Sequence, residues 1–442
     1  MSSIKEKFFN SRLLNELDSL YKSVVLGDLP IRFSKRCMQK WIDRGHLSQQ
    51  QMAEKLKHQE HIRVVFFMQN PSMWKYDYLY RLMAKSSRYE PIVVVVPYSV
   101  QTQYDQSEMA SELSRAEQFA IQKGYRYILA YDFEGKKYVN IRAKVNPDIV
   151  FFSMPYKTAN KHTYLYHYRD ILTCYVQYGI ACINTYKANY DLAFFNLLWR
   201  FFVETEYHKV DSQNHSFCRG ENVEVVGSLG MEALVDPHYV PKDVWKAGND
   251  GKKRIIWAPH HTVDYLFNFS NFLVYSDFML TLAQKYKNKI QIAFKPHPFL
   301  RYKMFNIWGK EKTEAYYQRW QDMDNTQLEE GNYIDLFLTS DAMMHDCGSF
   351  TAEYLYTGKP VMFMQRDDKV LDTWTAFGRK CFDMHYAGRN EADIELFINN
   401  VVISGNDTMY DERTNFRNNT LVINDGLLPS ERILKSINDF IS

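Results

Sequence analysis

The fold is decided by the segment Ser340–Pro360, which reads SDAMMHDCGSFTAEYLYTGKP. Ala342 to His345 has the pattern of a short buried strand, and Ser349 opens a helical run that stops at Gly358 and Pro360. The first N–H groups of a helix have no internal partner and lie at the positive end of its dipole. The segment therefore predicts a strand, a phosphate-binding turn and a helix, although an ordinary strand-to-helix turn explains the same residues.

Upstream of this segment, short runs of β-branched and aromatic residues alternate with helical patterns, as is typical of parallel sheets covered by helices. Helices are predicted near residues 73–88, 108–123, 166–177 and 189–205. The strands predicted for this first series are Arg63–Met68, Ile92–Val96, Tyr127–Ala130, Asp148–Phe152, Ile180–Asn184 and Val223–Val226.

A second series follows Val235–Lys253, a stretch of prolines, glycines and charges that reads as a linker. Its helices are predicted near residues 271–286, 313–320 and 350–357, and its strands are Arg254–Ala258, Ile290–Phe294, Ala342–His345 and Val361–Met364. We expect an α/β protein in which two doubly wound Rossmann-like domains face a cleft, similar to the GT-B fold. The expected parts are an N-terminal helical extension (1–60), an acceptor-side domain (61–240) and a donor-binding domain with C-terminal helices (241–442).

Composition excludes several classes of protein. The 54 Lys and Arg residues nearly balance the 52 Asp and Glu residues, so no basic field for nucleic acid is expected. No glycine-rich dinucleotide fingerprint or Walker loop follows an early strand, which argues against an oxidoreductase or NTPase. The six cysteines form no close pair, and no apolar run is long enough to cross a bilayer, which favours a reduced, cytoplasmic protein.

Residues 1–60 carry a basic excess interleaved with apolar residues, at Arg32, Lys35, Arg36, Lys40 and Arg44. This pattern is expected either of a helix that contacts the inner face of the cell membrane or of a solvated helix packed on the protein body. The sequence leaves this choice and the oligomeric state open.

Three polar clusters directly follow predicted strands of the second domain: Trp257–Thr262, Phe294–Pro298 and His345–Ser349. Because the carboxyl ends of parallel strands meet at one edge of a sheet, we expect the three clusters to converge. His297 lies between two prolines that fix its backbone, so its ring would be presented stiffly to a phosphate oxygen.

These clusters resemble the bacterial CDP-glycerol glycerophosphotransferases. The resemblance rests on Lys295-Pro296-His297-Pro298, on Ala258-Pro259, and on the pattern formed by Asp346, Cys347, Gly348, Ser349, Glu353, Thr357, Lys359 and Pro360. Two positions depart from the family pattern, since Cys347 replaces an aromatic residue and Gly348 replaces a serine. His260 and His261 also stand where the family has a Thr-Trp pair.

The resemblance implies a CDP-glycerol donor, no cofactor, and a glycan or lipid-linked acceptor. It implies that His297 stabilises charge on the diphosphate, with His261 as a further catalytic candidate. The residues expected to bind the donor are Lys295, His260, His345, Asp346, Gly348, Ser349 and Glu353.

The acceptor side matches less well. The family has a Trp-His-Gly turn whose histidine acts as the base, whereas this chain has Tyr175-Val176-Gln177-Tyr178-Gly179. Tyr178 and His167 are therefore candidates for the base, with His162 and Asp170 nearby. A tyrosine with a pKa near its usual value of about 10 is a poor base at neutral pH.

Alternatives to this function remain at this stage. The histidines and Asp346 offer enough ligands for a metal-dependent hydrolase, but their spacing matches no known zinc motif, and we expect no metal. A GT-B glycosyltransferase that uses a nucleotide sugar and a noncatalytic nucleotide-binding assembly component would share the same donor fold. The favoured function is transfer of glycerol phosphate, or a related phospho-alditol, from CDP-glycerol to a hydroxyl, with release of CMP.

Overall fold

The computed structural model describes residues 35–97, 106–155, 160–263, 270–331 and 333–442. It divides the chain into two compact units. Unit 1 comprises the residues up to Gly179, then Thr185–Gly230 and Leu427–Ser442, and unit 2 comprises Ile180–Asn184 and Met231–Gly426. In this division unit 2 begins at Met231, whereas the predicted domains divide at 240/241; Ile180–Asn184 also groups with unit 2, and the last helix groups with unit 1.

Unit 1 is built on a seven-stranded parallel sheet in the order β3-β2-β1-β6-β7-β8-β9. Its central strands are buried on both faces, which explains their nearly continuous apolar sequences. The strands are β1 (Ile62–Met68), β2 (Tyr89–Val95), β3 (Tyr127–Leu129), β6 (Ile149–Phe152), β7 (Leu172–Val176), β8 (Arg200–Val203) and β9 (Val223–Val225), and β4 (Tyr131–Asp132) pairs with β5 (Lys137–Tyr138) as a short hairpin.

Helices cover this sheet, and the first of them is the described part of the predicted N-terminal extension. Residues 1–34, which include Arg32, lie outside the described residues. The helices are α1 (Lys35–Lys57), α2 (Asp77–Lys85), α3 (Gln106–Lys123), α4 (Ile141–Val145), α5 (Tyr186–Tyr190), α6 (Ala193–Leu197) and α7 (Glu206–His215). Met38 and Ile42 of α1 pack against Ala193 and Cys218, so α1 has an apolar side buried in unit 1.

Two predicted helices and one predicted strand of unit 1 are wrong. Residues 166–177 and 189–205 contain the strands β7 and β8, and Ile180–Asn184 forms no sheet strand. The sequences LTCYV and RFFV are rich in β-branched and aromatic residues, and burial on both faces of the sheet favours the extended chain there.

Unit 2 is built on a six-stranded parallel sheet in the order β12-β11-β10-β13-β14-β15. All four predicted strands of this unit are present, and the two additional ones are short edge strands, β12 and β15. The strands are β10 (Lys253–Ala258), β11 (Ile290–Phe294), β12 (Thr326–Leu328), β13 (Ala342–His345), β14 (Val361–Met364) and β15 (Tyr386–Gly388).

Alternate residues of β10 belong to two different apolar clusters. Since successive side chains of a strand point to opposite faces, the two clusters lie on the two faces of this sheet. Ile255 and Trp257 lie in one cluster, and Ile256 and Ala258 lie in the other. The helices of unit 2 are α8 (Glu232–Val235), α9 (Phe272–Lys285), α10 (Pro298–Trp308), α11 (Lys310–Asp322), α12 (Ile334–Thr339), α13 (Phe350–Glu353), α14 (Ala376–Phe382), α15 (Glu391–Leu396) and α16 (Tyr410–Phe416).

The last helix, α17 (Pro429–Phe440), packs in unit 1. Its Asn438 Oδ1 accepts from the Tyr89 hydroxyl at 2.6 Å, and its Arg432 donates to the Val226 carbonyl at 2.9 Å. Among the helices that the structure describes, none combines the length and the apolar character needed to cross a membrane.

Candidate active site

The three strand-end clusters of unit 2 lie side by side, as predicted. β10 pairs with β11 on one side and with β13 on the other. The strands end level with one another, since Trp257 pairs with Phe294 and Ala258 pairs with His345. Backbone hydrogen bonds join the turns that follow, from Lys295 N to Trp257 O at 2.8 Å and from His297 N to Pro259 O at 3.0 Å.

Three histidine rings meet at this edge of the sheet. The ring centroid of His261 lies 4.2 Å from those of His260 and His297, and the latter two are 4.9 Å apart. Burial, together with the neighbouring imidazoles and Lys303, lowers the pKa of His260 to about 2 and that of His297 to about 3. Both rings are therefore neutral at physiological pH.

The hydrogen bonds of His297 fix its tautomer. The residue caps α10, and its Nδ1 accepts from the backbone N–H of Phe299 at 3.1 Å. A neutral imidazole carries its proton on one nitrogen only, so the proton of His297 is on Nε2. His297 thus offers an uncharged Nε2–H donor at the sheet edge.

Two lysines lie near these rings. Lys295 and Lys303 are both close enough to disfavour protonation of His297. Lys295 is only 8% exposed; its Nζ donates to the Gly331 carbonyl at 3.0 Å and lies 5.7 Å from the Tyr333 ring centroid. Burial lowers the pKa of Lys295, and Glu329 opposes that effect. Two lysines and a neutral N–H donor form an environment that suits an anion.

Asp346 holds two loops of the site in place. It is 1% exposed, and its carboxylate accepts from the backbone N–H of His260 at 2.5 Å and of Asn271 at 2.6 Å. Burial raises the pKa of Asp346 to about 7, although these hydrogen bonds oppose the rise. Asp346 was predicted to bind the donor, but its carboxylate accepts hydrogen bonds from backbone N–H groups of the two loops.

His345 does not fit its predicted role as a donor contact. Its side chain is 0% exposed, its Nδ1 accepts from Cys347 N at 3.1 Å, and its Nε2 lies 3.2 Å from Nε2 of His385. His385 Nδ1 lies 2.8 Å from the Cys381 carbonyl and donates to it. The result is a buried chain of hydrogen bonds behind the turn, with both ring nitrogens of His345 engaged.

The predicted phosphate turn is present, but its helix is short. Gly348 is buried, Ser349 is half-buried, and α13 passes into a 3₁₀ turn that ends at Gly358, which has a φ of 71°. Glu353 is 3% exposed, and its carboxylate is hydrogen bonded with Tyr333, whose pKa it raises in addition to the effect of burial. Glu353 therefore packs inside unit 2, which does not support its predicted role as a donor-binding residue.

The candidates for the base lie in unit 1. Tyr178 is 41% exposed and follows the carboxyl end of β7, the edge at which such sheets bind ligands. His167 lies on a 3₁₀ turn before β7, with its ring 6.1 Å from that of His162. Burial, His162 and Arg142 lower the pKa of His167. The carboxylate of Asp170 is paired with the Arg142 guanidinium, which lowers the pKa of Asp170.

Several residues of the site were not predicted. His385 and Tyr333 come from segments distant in sequence, whereas Lys303 lies in α10, the helix that His297 caps, and no strand-end motif marks any of the three. Thr262, whose Oγ1 lies 3.0 Å from His260 Nδ1, belongs to a predicted cluster and was recognisable there.

The three histidines also have the approximate spacing of a metal site, with one nitrogen of each ring within 4.8 Å of the others. His297 does not fit this role as it stands, because the lone pair of Nδ1 accepts from Phe299 and Nε2 carries the proton. Metal binding at this ring would require the helix cap to be broken.

Comparison with known proteins agrees with the geometry of unit 2. Residues 247–439 match the family model for CDP-glycerol:poly(glycerophosphate) glycerophosphotransferase. This match confirms the predicted resemblance and the predicted class of enzyme, a glycerophosphotransferase-like transferase. No curated protein matches the chain.

Similar solved structures share the fold. The wall teichoic acid polymerase TagF, soaked with CDPG, is 13% identical over 97% of both chains, with a TM-score of 0.52. A UDP-N-acetylglucosamine 2-epimerase from Neisseria meningitidis is 16% identical over 86% of this chain and all of its own, with a TM-score of 0.52. A putative 2-epimerase from Listeria monocytogenes is 15% identical over 86% of this chain and 96% of its own, with a TM-score of 0.54. These likenesses confirm the predicted GT-B-like α/β fold.

Proposed function

Because residues 247–439 match the family model for CDP-glycerol:poly(glycerophosphate) glycerophosphotransferase, we propose that this protein transfers glycerol phosphate from CDP-glycerol to an acceptor hydroxyl and releases CMP. A related phospho-alditol is the closest variant of this donor. The acceptor is a cell-surface glycan or a lipid-linked precursor, which the protein would meet at the inner face of the cell membrane. The observation that carries the proposal is the convergence of His260, His261 and His297 with two lysines at one sheet edge.

The reaction is a displacement at phosphorus. The acceptor hydroxyl oxygen forms a bond to the phosphorus that bears glycerol, and the bond from that phosphorus to the bridging oxygen breaks. CMP leaves with the electron pair, and the hydroxyl proton passes to a base. Negative charge grows on the bridging oxygen, so a donor aimed at that oxygen stabilises the transition state more than the substrate.

His297 is the group best suited to that task. Its Nε2–H donates without carrying a charge, and the cap at Phe299 and the flanking prolines hold the ring in place. Lys295 and Lys303 add positive charge near the diphosphate, and His260 and Ser349 are further donor contacts in this scheme. Gly348 allows the backbone of the turn to approach the phosphates.

Three residues are candidates for the base that accepts the hydroxyl proton. Tyr178 and His167 are the unit 1 candidates, and His261, next to His297, is the unit 2 candidate. The lowered pKa of His167 keeps its ring neutral and able to accept a proton. Loss of the base lowers kcat and removes the acidic limb of the kcat profile with pH, whereas loss of a donor contact raises the donor KM.

The proposal is tested by measuring CMP release from CDP-glycerol with and without glycan acceptors, alongside CDP-ribitol and a panel of UDP- and CMP-sugars. We expect acceptor-dependent CMP release that collapses in His297→Ala and persists in His238→Ala, since His238 is exposed and distant in sequence from the site. Turnover of a nucleotide sugar but of no CDP-alditol would assign the protein to the glycosyltransferases. CDP-glycerol binding without turnover of any donor would make it a noncatalytic component.

A further inference from the structure

Five residues between β7 and α5 form a segment that packs in unit 2 although the chain on either side belongs to unit 1. We call this segment, Ile180–Asn184, the crossover segment. Thr375 N donates to Cys182 O at 2.9 Å, Asn184 N donates to Thr373 O at 2.8 Å, and Ile183 forms an antiparallel bridge with Trp374. These backbone bonds hold the crossover segment in one position on unit 2.

The crossover segment lies against the predicted phosphate turn. A Cβ atom added to Gly348 would lie 3.1 Å from Cδ1 of Ile183, closer than an ordinary van der Waals contact. Ile180 and Cys182 belong to the same buried apolar cluster as Cys347, the residue before Gly348. Any side chain at position 348 would thus meet the side chain of Ile183.

A second glycine limits movement of the crossover segment away from the turn. A Cβ atom on Gly378, in the first turn of α14, would lie 2.2 Å from the Cys182 carbonyl oxygen and 2.8 Å from the Trp374 ring. Both are backbone or buried ring atoms that cannot move aside easily. The crossover segment is therefore fitted between Gly378 and Gly348 with little free space.

We infer that Ile183 is a wall of the donor pocket, that it lies over the Gly348 turn, and that it sets how closely a diphosphate approaches that turn. This inference rests on the proposed function. The family pattern has a serine at position 348, and the Cβ of that serine would meet Ile183. Gly348 and Ile183 therefore form a matched pair, in which the Ile183 side chain takes the place of the serine hydroxyl of the family pattern. In this position Ile183 excludes water from the phosphates. Excluding water strengthens the remaining charge interactions with the diphosphate.

The inference is tested with a double-mutant cycle on the full chain. Gly348→Ala adds the Cβ, and Ile183→Val removes Cδ1, the atom that the new Cβ would meet. The measurements are the Kd of CDP and of CDP-glycerol by calorimetry, the KM and kcat for CMP release, and the Tm of each variant. Gly45→Ala and Ile121→Val are matched controls, since Gly45 has its nearest atom at 3.7 Å and Ile121 is 49% exposed.

We expect Gly348→Ala to raise the Kd of CDP by about tenfold and to raise the donor KM more than it lowers kcat. A tenfold change in Kd corresponds to the usual free-energy cost of overpacking a buried contact. In the double variant we expect the Kd to return to within about twofold of the Ile183→Val value. Additive effects on Kd, or an unchanged Kd in Gly348→Ala, would overturn the inference and leave the proposed function intact. A wild-type protein that binds neither CDP nor CDP-glycerol would overturn both. A change in Tm alone, with Kd unchanged, would show that the contact is structural only and would overturn the inference.

Discussion

His297→Asn and His297→Gln separate the two tasks that the structure gives to one imidazole ring. The Nδ1 atom caps α10 by accepting from Phe299 N, and the Nε2–H group is the proposed hydrogen-bond donor to the diphosphate. Asparagine is a good N-cap residue, so its side-chain oxygen can replace Nδ1. Its side chain is too short to place a donor where Nε2 lies. Glutamine reaches further and can place an N–H donor near the position of Nε2, but it caps helices poorly.

The expected magnitudes follow from these contacts. Loss of one positioned donor to a developing oxyanion lowers kcat by about 10²–10³, or roughly 2.7–4 kcal/mol. His297→Asn should show this loss with a free energy of unfolding close to that of the wild type. His297→Gln should keep more of the activity and lose about 1 kcal/mol of stability with the cap. Because the pKa of His297 is about 3, neither substitution should remove an inflection from the kcat profile between about pH 5 and about pH 9.

The assay is CMP release from CDP-glycerol at saturating donor and acceptor, together with urea unfolding of the same samples. His238→Asn is the control for a histidine substitution on the surface of unit 2. Equal losses of kcat in the asparagine and glutamine variants would refute the tautomer argument. Wild-type turnover in His297→Asn would show that Nε2–H is not part of the reaction.

Three further outcomes follow from contacts in unit 2. Burial lowers the pKa of His345, and it lowers the pKa of His385 to about 3. The unfolded chain therefore takes up protons at these histidines that the native state does not, so the free energy of unfolding decreases as the pH falls through about 6.5. The Tm should drop from about pH 7 to about pH 5, and an equally steep drop in His385→Gln would contradict this cause. Asp346→Asn leaves one of two backbone N–H groups without an acceptor and should cost about 2–3 kcal/mol in urea unfolding at neutral pH; a cost below about 0.5 kcal/mol would refute the role of the carboxylate. Gly378→Ala forces a Cβ against the Cys182 carbonyl and should cost more than about 3 kcal/mol, whereas Gly45→Ala should cost nothing, and similar Tm values for the two variants would disprove the tight fit.

Local patterns predicted the donor-side fold because the predicted strands of unit 2 are short, mostly apolar and directly followed by polar clusters. Ala342–His345 and Ile290–Phe294 were assigned correctly for this reason, and their order along the chain placed His297 near His260. The errors fall in unit 1. Leu172–Val176 lies next to helical turns, and only its pairing with β6 and β8 makes it a strand. Ile180–Asn184 has the composition of a strand, yet it packs singly beside Trp374 instead of joining a sheet.

The sequence pattern did not predict which polar side chains are buried or which hydrogen bonds they form. His345, His385 and Glu353 carry the residue types of a site, but tertiary packing turns their side chains inward, where they bond one another or Tyr333. The sequence by itself determined the α/β class, the strand-end clusters and the resemblance to the glycerophosphotransferases, because these depend on residue order and on the period of apolar residues. Only the tertiary structure decided which nitrogen of His297 carries the proton and why position 348 is a glycine. The first depends on a hydrogen bond from Phe299 N, two residues further along the chain, and the second depends on Ile183 Cδ1, which comes from a distant segment. Neither atomic contact leaves a period in the sequence.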